Sequence, residues 1–185
     1  RKIKKFPKKK KEILFVGRLV SEKGADLYVQ TLRSIASTFP DWKFGLIGSF
    51  RLGEHKNTNS YAHRVIKSYK EIGSQAIFYG FKNHKFVEEK MKTSSIIVIP
   101  AIWEEPFGLV AAEAMSNGIS IIASKVGGMP EIIGDNGVLI ENINYKKLKK
   151  NLIELLKNNS LRESYQQKAW KDFKVSSALS SKKLD

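Results

Sequence analysis

Residues 100–131 read PAIWEEPFGLVAAEAMSNGISIIASKVGGMPE, and they place the start and stop signals of a helix between two apolar runs. The run at residues 96–99 comes just before them and predicts a buried strand. Pro106 fixes φ and lacks a backbone N–H, so it suits the first position of a helix, and Asn117-Gly118 supplies the stop signal. A strand that feeds a helix through a short loop places free N–H groups at the carboxyl edge of a sheet. Anions bind there in open α/β folds.

The rest of the chain repeats this alternation of apolar runs with helical patterns. The predicted strands are residues 13–16, 43–47, 76–79, 96–99, 119–123 and 138–140. The predicted helices carry apolar residues on one face; the first runs from before Tyr28 to Phe39 and is ended by Pro40, and the last runs from a capping box at Ser160 and Glu163 to about Phe173. This alternation predicts an α/β fold, Rossmann-like, with three α/β/α layers and a parallel sheet of about six strands.

Right-handed crossovers would gather the loops that follow the strands on one edge of that sheet. Arg18 and Lys23 lie in the first of these loops, five residues apart, and both can reach a phosphate bound at the helix that starts near Pro106. They are equally consistent with two solvated loop cations. Glu113, about two turns into that helix, is suited to accept hydrogen bonds from two vicinal hydroxyls. Glu105 suits the same kind of ligand or a simple favourable charge at the helix N-terminus, and Glu104 competes with it.

Composition limits the class of protein. A chain of 185 residues with 42% hydrophobic residues can form one domain with an ordinary core. The chain contains no cysteine, which excludes disulfides and thiolate metal sites. No apolar run is long enough to span a membrane and no signal peptide is visible. We therefore predict a cytoplasmic location.

The net charge of +15 is concentrated at the start of the chain, where residues 1–11 contain eight lysines and arginines. We interpret residues 1–11 as a basic, solvated linker, residues 12–174 as the folded domain, and residues 175–185 as a frayed tail. The basic block also suits peripheral contact with an anionic membrane surface. Nucleic acid is the weakest alternative, because no aromatic residues are interleaved with the basic ones.

Several kinds of site are not supported. His55, His63 and His84 have no metal-ligand spacing, and we interpret His63 and His84 as surface groups. The sequence contains no GxGxxG, GxxxxGK[ST] or GxSxG motif. We therefore predict neither a metal nor a nicotinamide or flavin cofactor. Tyr61 and Tyr69 fit core positions better than ligand platforms.

Three segments, FVGRLVSEKG (15–24), EPFGLVAAEAMSNG (105–118) and KVGGMPEII (125–133), together resemble retaining glycosyltransferases of the GT-B fold. The closest resemblance is to family 4, and the pair Glu105 and Glu113 matches the E-x7-E spacing of that family. The resemblance extends over about residues 13–173. It implies transfer of a hexose from a UDP-sugar or GDP-sugar to a glycan or lipid-linked acceptor, without a metal. Synthesis of lipopolysaccharide or another surface glycan is the implied setting, at the inner face of the membrane.

The resemblance also implies roles for individual residues. Arg18 and Lys23 would bind the donor diphosphate and Glu105 the hydroxyls of the donor sugar, and these three would form the catalytic set. Glu113 would hold the ribose hydroxyls. The remaining donor-binding positions would be Gly17, Phe81, Phe107, Gly108 and Leu109. Of these, Phe81 would lie beside the base, and the backbone of 107–109 would meet the sugar or distal phosphate.

The chain departs from the family pattern in two ways. Gly48-Ser49-Phe50 replaces the more usual glycine-rich turn after the second strand. Enzymes of this fold also have two Rossmann-like halves, and this sequence resembles only the C-terminal, donor-binding half. We expect the acceptor half to precede Arg1, so that this fragment alone would bind donor without transferring sugar. The alternatives are a non-catalytic nucleotide-sugar-binding module and, more remotely, a basic nucleic-acid-binding domain.

Overall fold

The computed structural model describes residues 6–49, 60–103 and 108–182, with side chains as far as Phe173. Within these residues, six strands form one parallel sheet in the order β3-β2-β1-β4-β5-β6. They are β1 (Lys10–Val16), β2 (Lys43–Ile47), β3 (Ala76–Gly80), β4 (Ser94–Ile99), β5 (Ser120–Ser124) and β6 (Val138–Ile140). The strand order reverses between β1 and β4, which is where open α/β sheets form their ligand crevice.

Helices cover both faces of the sheet. They are α1 (Ala25–Arg33), α2 (Ser60–Lys70), α3 (His84–Thr93), α4 (Leu109–Ser116), α5 (Met129–Ile133), α6 (Tyr145–Lys157) and α7 (Asn159–Lys182). Helices α1, α2 and α6 pack on one face, and α3, α4, α5 and α7 contribute to the core on the other. The predicted three-layer, Rossmann-like fold is confirmed.

Each face of the sheet has its own apolar core because successive strand residues point to opposite sides. In β4, Ile96 and Val98 join the core under α1, α2 and α6, whereas Ile97 and Ile99 join the other core. All four are buried. Burial on both faces explains why the strand sequences are continuous apolar runs rather than alternating ones.

Three predicted helix boundaries were wrong, namely the end of α1 and both ends of α7. Helix α1 ends at Arg33, and a 3-10 turn at Ala36–Thr38 follows it, so Ile35 and Phe39 pack on the core without extending α1. The Ser34 hydroxyl donates to the Thr31 carbonyl at this point, a local bond that competes with helix continuation. The N-cap of α7 is Asn158 and not Ser160, because the Asn158 side chain accepts from the Leu161 N–H at 2.9 Å. Helix α7 also continues to Lys182 rather than ending near Phe173.

The predicted start of the helix after β4 was also wrong. Helix α4 begins at Leu109, with Gly108 as its N-cap in the left-handed region at φ 45°. Pro106 therefore does not open this helix, and its own position lies outside the described residues. The predicted stop is confirmed, with Asn117 as C-cap and Gly118 at φ 59°.

A buried carboxylate joins several elements on the face of the sheet that packs against α3. It lies toward the end of the sheet away from the loops that follow the strands. Glu12 is only 5% exposed, and its carboxylate accepts from Lys90 Nζ at 2.9 Å, Tyr79 Oη at 2.9 Å and Ser94 Oγ at 2.9 Å. Burial alone would lower the pKa of Lys90, but its hydrogen bonds to Tyr79 and Glu12 outweigh burial, and the pKa is raised. A buried charge with this many partners avoids the desolvation penalty of an unpaired one.

Lys9 belongs to the folded domain, although its basic neighbours suggested a linker. Its Nζ donates to the Met91 carbonyl at 3.0 Å and to the Asn117 carbonyl at 2.8 Å. These carbonyls lie at the C-terminal ends of α3 and α4, where a cation is favourable. Burial lowers the pKa of Lys9 to about 7.

This burial predicts a pH dependence of stability that Lys9→Met removes. The folded state holds the Lys9 proton more weakly than the unfolded chain does. The free energy of unfolding therefore rises with pH between about 7 and 10.5, and burial of the charged amine destabilises the fold most below about pH 7. We expect this contribution to be on the order of 2 kcal/mol, since the two carbonyl hydrogen bonds offset part of the burial cost. Urea unfolding at pH 7 and pH 9.5 measures it.

The matched control is Lys8→Met, which changes composition equally at an exposed neighbour. The rise in stability with pH should survive in the Lys8 variant and shrink in the Lys9 variant. Equal pH dependence in all three proteins would contradict the burial of Lys9.

Candidate functional site

The loops that follow β1, β2 and β3 are joined by backbone hydrogen bonds at one edge of the sheet. Gly17 N–H donates to the Ile47 carbonyl at 3.1 Å, and Gly48 N–H donates to the Gly80 carbonyl at 3.0 Å. A Cβ on Gly48 would lie 1.9 Å from the Gly17 carbonyl oxygen. The predicted site residue Gly17 is thus in close contact with Gly48. Any larger residue at position 48 would push the loops after β1 and β2 apart.

The loop after β1 also contacts the segment that follows β4, at the point where the strand order reverses. Gly24 has φ 67°, and a Cβ there would lie 2.1 Å from the Pro100 carbonyl oxygen. The Ile102 N–H donates to the Glu22 carbonyl at 2.9 Å. These contacts hold the loop containing Arg18 and Lys23 against the segment that leads toward α4.

Arg18, Glu22, Lys23 and Trp103 line a cavity of about 210 Å³ at this junction. Arg18 is exposed and Lys23 is half-buried. Burial lowers the pKa of Lys23, and the neighbouring Arg18 guanidinium lowers it further. An anion bound near both cations would offset their mutual repulsion.

Sequence reasoning missed two residues of this cavity, Glu22 and Trp103. The Glu22 carboxylate accepts from the Ser21 hydroxyl at 3.0 Å, and hydrogen bonding from its own backbone and from Ser21 lowers its pKa. Trp103 is 69% exposed, although a tryptophan side chain usually lies largely buried. Trp103 could have been found from the sequence, because it is an aromatic residue beside the E-x7-E motif. Nothing in the sequence distinguished Glu22 from an ordinary loop carboxylate.

Large apolar side chains are exposed along this edge of the sheet. Phe81 follows β3 and is 77% exposed, Ile102 and Trp103 follow β4, and Leu109 opens α4 with 70% exposure. Single exposed apolar residues are ordinary, and several at one edge make that edge a candidate binding surface. The structure therefore brings the predicted residues Phe81 and Leu109 to the same edge as Arg18 and Lys23.

Gly108 sets the start of α4. At φ 45° it adopts a conformation that L side chains rarely take, and a Cβ there would lie 2.6 Å from Ile132 Cδ1 in α5. Its carbonyl accepts from the Ala111 N–H at 2.8 Å and the Ala112 N–H at 3.1 Å, which leaves the earlier N–H groups of the helix for other partners.

Glu113 is the fifth residue of α4, so it lies just over one turn into the helix and not two turns as predicted. Its side chain is 38% exposed, and Oε1 lies 3.5 Å from His84 Nδ1. The sequence indicated only that His84 would be at the surface. It is indeed exposed, but it faces the carboxylate that was predicted to bind a diol.

Glu105 and Phe107, two of the predicted site residues, lie outside the described residues, as does Glu104. Among the residues that are described, no group of three or more His, Cys, Asp or Glu side chains is arranged to hold a metal ion. No helix in the described part of the chain combines the length and apolar composition needed to cross a membrane.

Comparison with known proteins identifies the family. The sequence profile of the family described as glycosyl transferases group 1 matches residues 1–172. The chain belongs to this family. An uncharacterised glycosyltransferase of Methanocaldococcus jannaschii is 34% identical over 153 residues, which are 82% of this chain and 40% of that protein. The chain thus spans less than half the length of this relative.

Solved structures agree with the fold. The C-terminal domain of the group 1 glycosyltransferase LpcC from Francisella tularensis has a TM-score of 0.75 at 24% identity, covering 92% of this chain and 87% of that domain. The Anabaena protein HepE, solved in complex with UDP and glucose, has a TM-score of 0.76 at 21% identity, covering 93% of this chain and 48% of that one. The LpcC domain and this chain superpose over most of their length. This agrees with the prediction that the chain forms one half of a GT-B fold.

The contact between Gly24 and Pro100 predicts a large stability cost for Gly24→Ala. The added Cβ is strained by the positive φ and also collides with a backbone oxygen that cannot rotate away. We expect unfolding to be easier by on the order of 3 kcal/mol. Chemical denaturation of the purified variant measures this.

Gly73→Ala is the control, because Gly73 has φ 87° but nothing within 4 Å of an added Cβ. Gly73→Ala introduces the backbone strain of a positive φ without a steric clash. It should lower the free energy of unfolding by about 1 kcal/mol. If the two substitutions cost the same, the packing of the first loop on β4 is not as described.

Proposed function

We propose that this chain is the donor-binding domain of a glycosyltransferase that takes a hexose from a UDP-sugar or GDP-sugar, with retention of configuration. The observation that carries the proposal is the cavity lined by Arg18, Lys23 and Trp103 at the reversal of strand order, in a chain of the group 1 family. The complex of the similarly folded HepE with UDP and glucose supports the same class of ligand.

In this proposal Arg18 and Lys23 bind the diphosphate and stabilise the charge that develops on it as the sugar departs. Two charge-assisted hydrogen bonds contribute about 1.5–3 kcal/mol each, and a helix N-terminus contributes about 0.3–2 kcal/mol. Association alone costs at least about 4 kcal/mol. The diphosphate therefore needs further contacts on the same ligand to bind tightly.

The nucleoside and sugar would supply those contacts. Glu113 accepts the ribose hydroxyls, and Phe81, 77% exposed after β3, packs against the base. Glu105 accepts hydroxyls of the donor sugar. Gly17 and the backbone of Phe107, Gly108 and Leu109 approach the sugar and distal phosphate. With fixed cations at the leaving diphosphate, the proposed reaction uses no metal and no cofactor.

The acceptor is proposed to be a glycan or lipid-linked glycan, as in the synthesis of lipopolysaccharide or another surface glycan. The acceptor would be held by an N-terminal domain of the same protein. The exposed apolar side chains of Ile102, Trp103 and Leu109 suit a partner across the cleft. We propose a cytoplasmic protein at the inner face of the membrane, with lysines near the start of the chain in contact with acidic lipids and no role in nucleic-acid binding.

A non-catalytic nucleotide-sugar-binding module is the second candidate, because every residue proposed to bind the donor lies in this one domain. The two candidates differ in whether a second Rossmann-like half accompanies this one. Joined to such a half, the domain should transfer sugar; the second candidate requires donor binding without transfer in any longer form.

The first test is calorimetric titration of the 185-residue chain with UDP, GDP and their hexose conjugates. We expect one diphosphate to bind with clear preference and no sugar to be transferred to water or acceptor. Arg18→Ala and Lys23→Ala should each weaken binding of every diphosphate by roughly 10- to 100-fold, since each removes a charge-assisted hydrogen bond. Binding of the uncharged nucleoside should stay the same.

Lys43→Ala is the matched control, because Lys43 begins β2 at the opposite edge of the sheet and donates to the Ser74 carbonyl at 3.1 Å. It changes the net charge equally and should leave diphosphate affinity within about twofold. Equal losses in the Lys43 and Lys23 variants would mean that overall charge, and not the cavity, attracts the ligand.

A further inference from the structure

His84 and Glu113 form a contact between two helices at the loop edge of the sheet. His84 Nδ1 lies 3.5 Å from Glu113 Oε1, within ion-pair distance when the imidazole is protonated. His84 is 73% exposed and Glu113 38% exposed, so a ligand that arrives from solvent can reach both side chains.

The contact joins two parts of the site that come from distant segments of the chain. His84 is the first residue of α3, directly after the loop that carries Phe81. Glu113 projects from α4, which follows β4. The Asn83 side chain accepts from the Phe86 N–H at 3.0 Å and so fixes the start of α3. His84 is therefore presented to Glu113 from a capped, defined helix end.

We infer that His84 is a positioning residue that holds the Glu113 carboxylate ready for the ribose of the nucleotide. The inference rests on the proposed function, in which Glu113 accepts the ribose hydroxyls. A free glutamate on a helix surface samples several rotamers, and fixing one of them on binding costs entropy. A contact already made in the unliganded protein reduces that cost.

The His84 contact leaves room on Glu113 for the ribose. A carboxylate has about four lone-pair positions on its two oxygens. The imidazole lies near Oε1, so Oε2 and a further position on Oε1 can accept two vicinal hydroxyls. The same carboxylate can thus bind His84 and a diol at once.

The pair also connects recognition of base and ribose. Phe81 and His84 lie in the same short segment, and Lys82 Nζ lies 5.2 Å from the Phe86 ring centroid, which folds this segment onto the start of α3. The residue proposed to pack against the base and the residue that contacts the ribose-binding carboxylate are thus only three positions apart. Loss of His84 should weaken binding of ribose more than binding of the diphosphate.

The experiment measures affinity for UDP and GDP and for the 2′-deoxy form of each, using wild type, His84→Ala, Glu113→Ala and the double variant. Wild type should prefer ribose over deoxyribose by about tenfold or more, the value of a hydrogen bond to a charged group. His84→Ala should weaken the ribonucleotide by about two- to fivefold, typical of an exposed ion pair, and weaken the deoxynucleotide, which keeps only the 3′-hydroxyl, by less. Glu113→Ala should reduce the ribose preference to near one, and adding His84→Ala to it should change nothing more.

Two further variants separate positioning from general effects. His84→Asn places an amide N–H near the position of Nδ1 and should retain most of the ribose preference. Lys85→Ala removes a cation from the same turn of α3 and should leave the preference unchanged.

The outcomes distinguish this inference from the proposed function. If wild type binds neither UDP nor GDP, both are wrong. If Glu113→Ala abolishes the ribose preference but His84→Ala does not alter it, the proposed role of Glu113 stands and that of His84 is wrong. Tighter binding of UDP or GDP by His84→Ala would also overturn the inference, since it would show that the imidazole competes with ribose.

Discussion

The pairing of β1 with β4 is the constraint on which the candidate site depends. Because these two strands are parallel neighbours, the loops that leave them start side by side, yet α1 and α4 leave toward opposite faces of the sheet. A crevice opens between the two loops without any special loop sequence. The contact of Gly24 with the Pro100 carbonyl then sets how closely they approach. The place of β1 and β4 in the sheet thus accounts for the cavity, and the residues of the two loops account for its charge.

Charged groups are handled differently at the two ends of the sheet. At the end away from the loops, Glu12 is buried and surrounded by Lys90, Tyr79 and Ser94. Around the cavity, Arg18 is exposed and Lys23 is half-buried, and burial and mutual repulsion lower the pKa of Lys23. The first arrangement satisfies a charge internally and so favours a single rigid packing, whereas the second places two cations and the Glu22 carboxylate around a cavity that a ligand can enter.

The sequence was sufficient for the fold and for part of the site. Continuous apolar runs mark strands buried on both faces, so all six strands were predicted, and parallel order then requires the loops to share an edge. Helix boundaries were less predictable, because they depend on caps that compete locally: Asn158 replaces Ser160 at α7, and Gly108 rather than Pro106 sets the start of α4. The neighbourhood of Arg18 and Lys23 followed from topology. The contact of His84 with Glu113 did not, because it depends on how α3 and α4 pack together.

Lys9 gives α3 and α4 a common anchor. Its amine binds the Met91 carbonyl near the end of α3 and the Asn117 carbonyl at the end of α4, and the opposite ends of these helices carry His84 and Leu109 at the site. The Phe6 ring, 5.6 Å from that of Trp170, extends the same attachment to α7. The segment before β1 therefore contacts three helices, and two of them carry predicted site residues or their neighbours at the other end. The position of this short segment and the relative position of α3 and α4 at the site are parts of one packing arrangement.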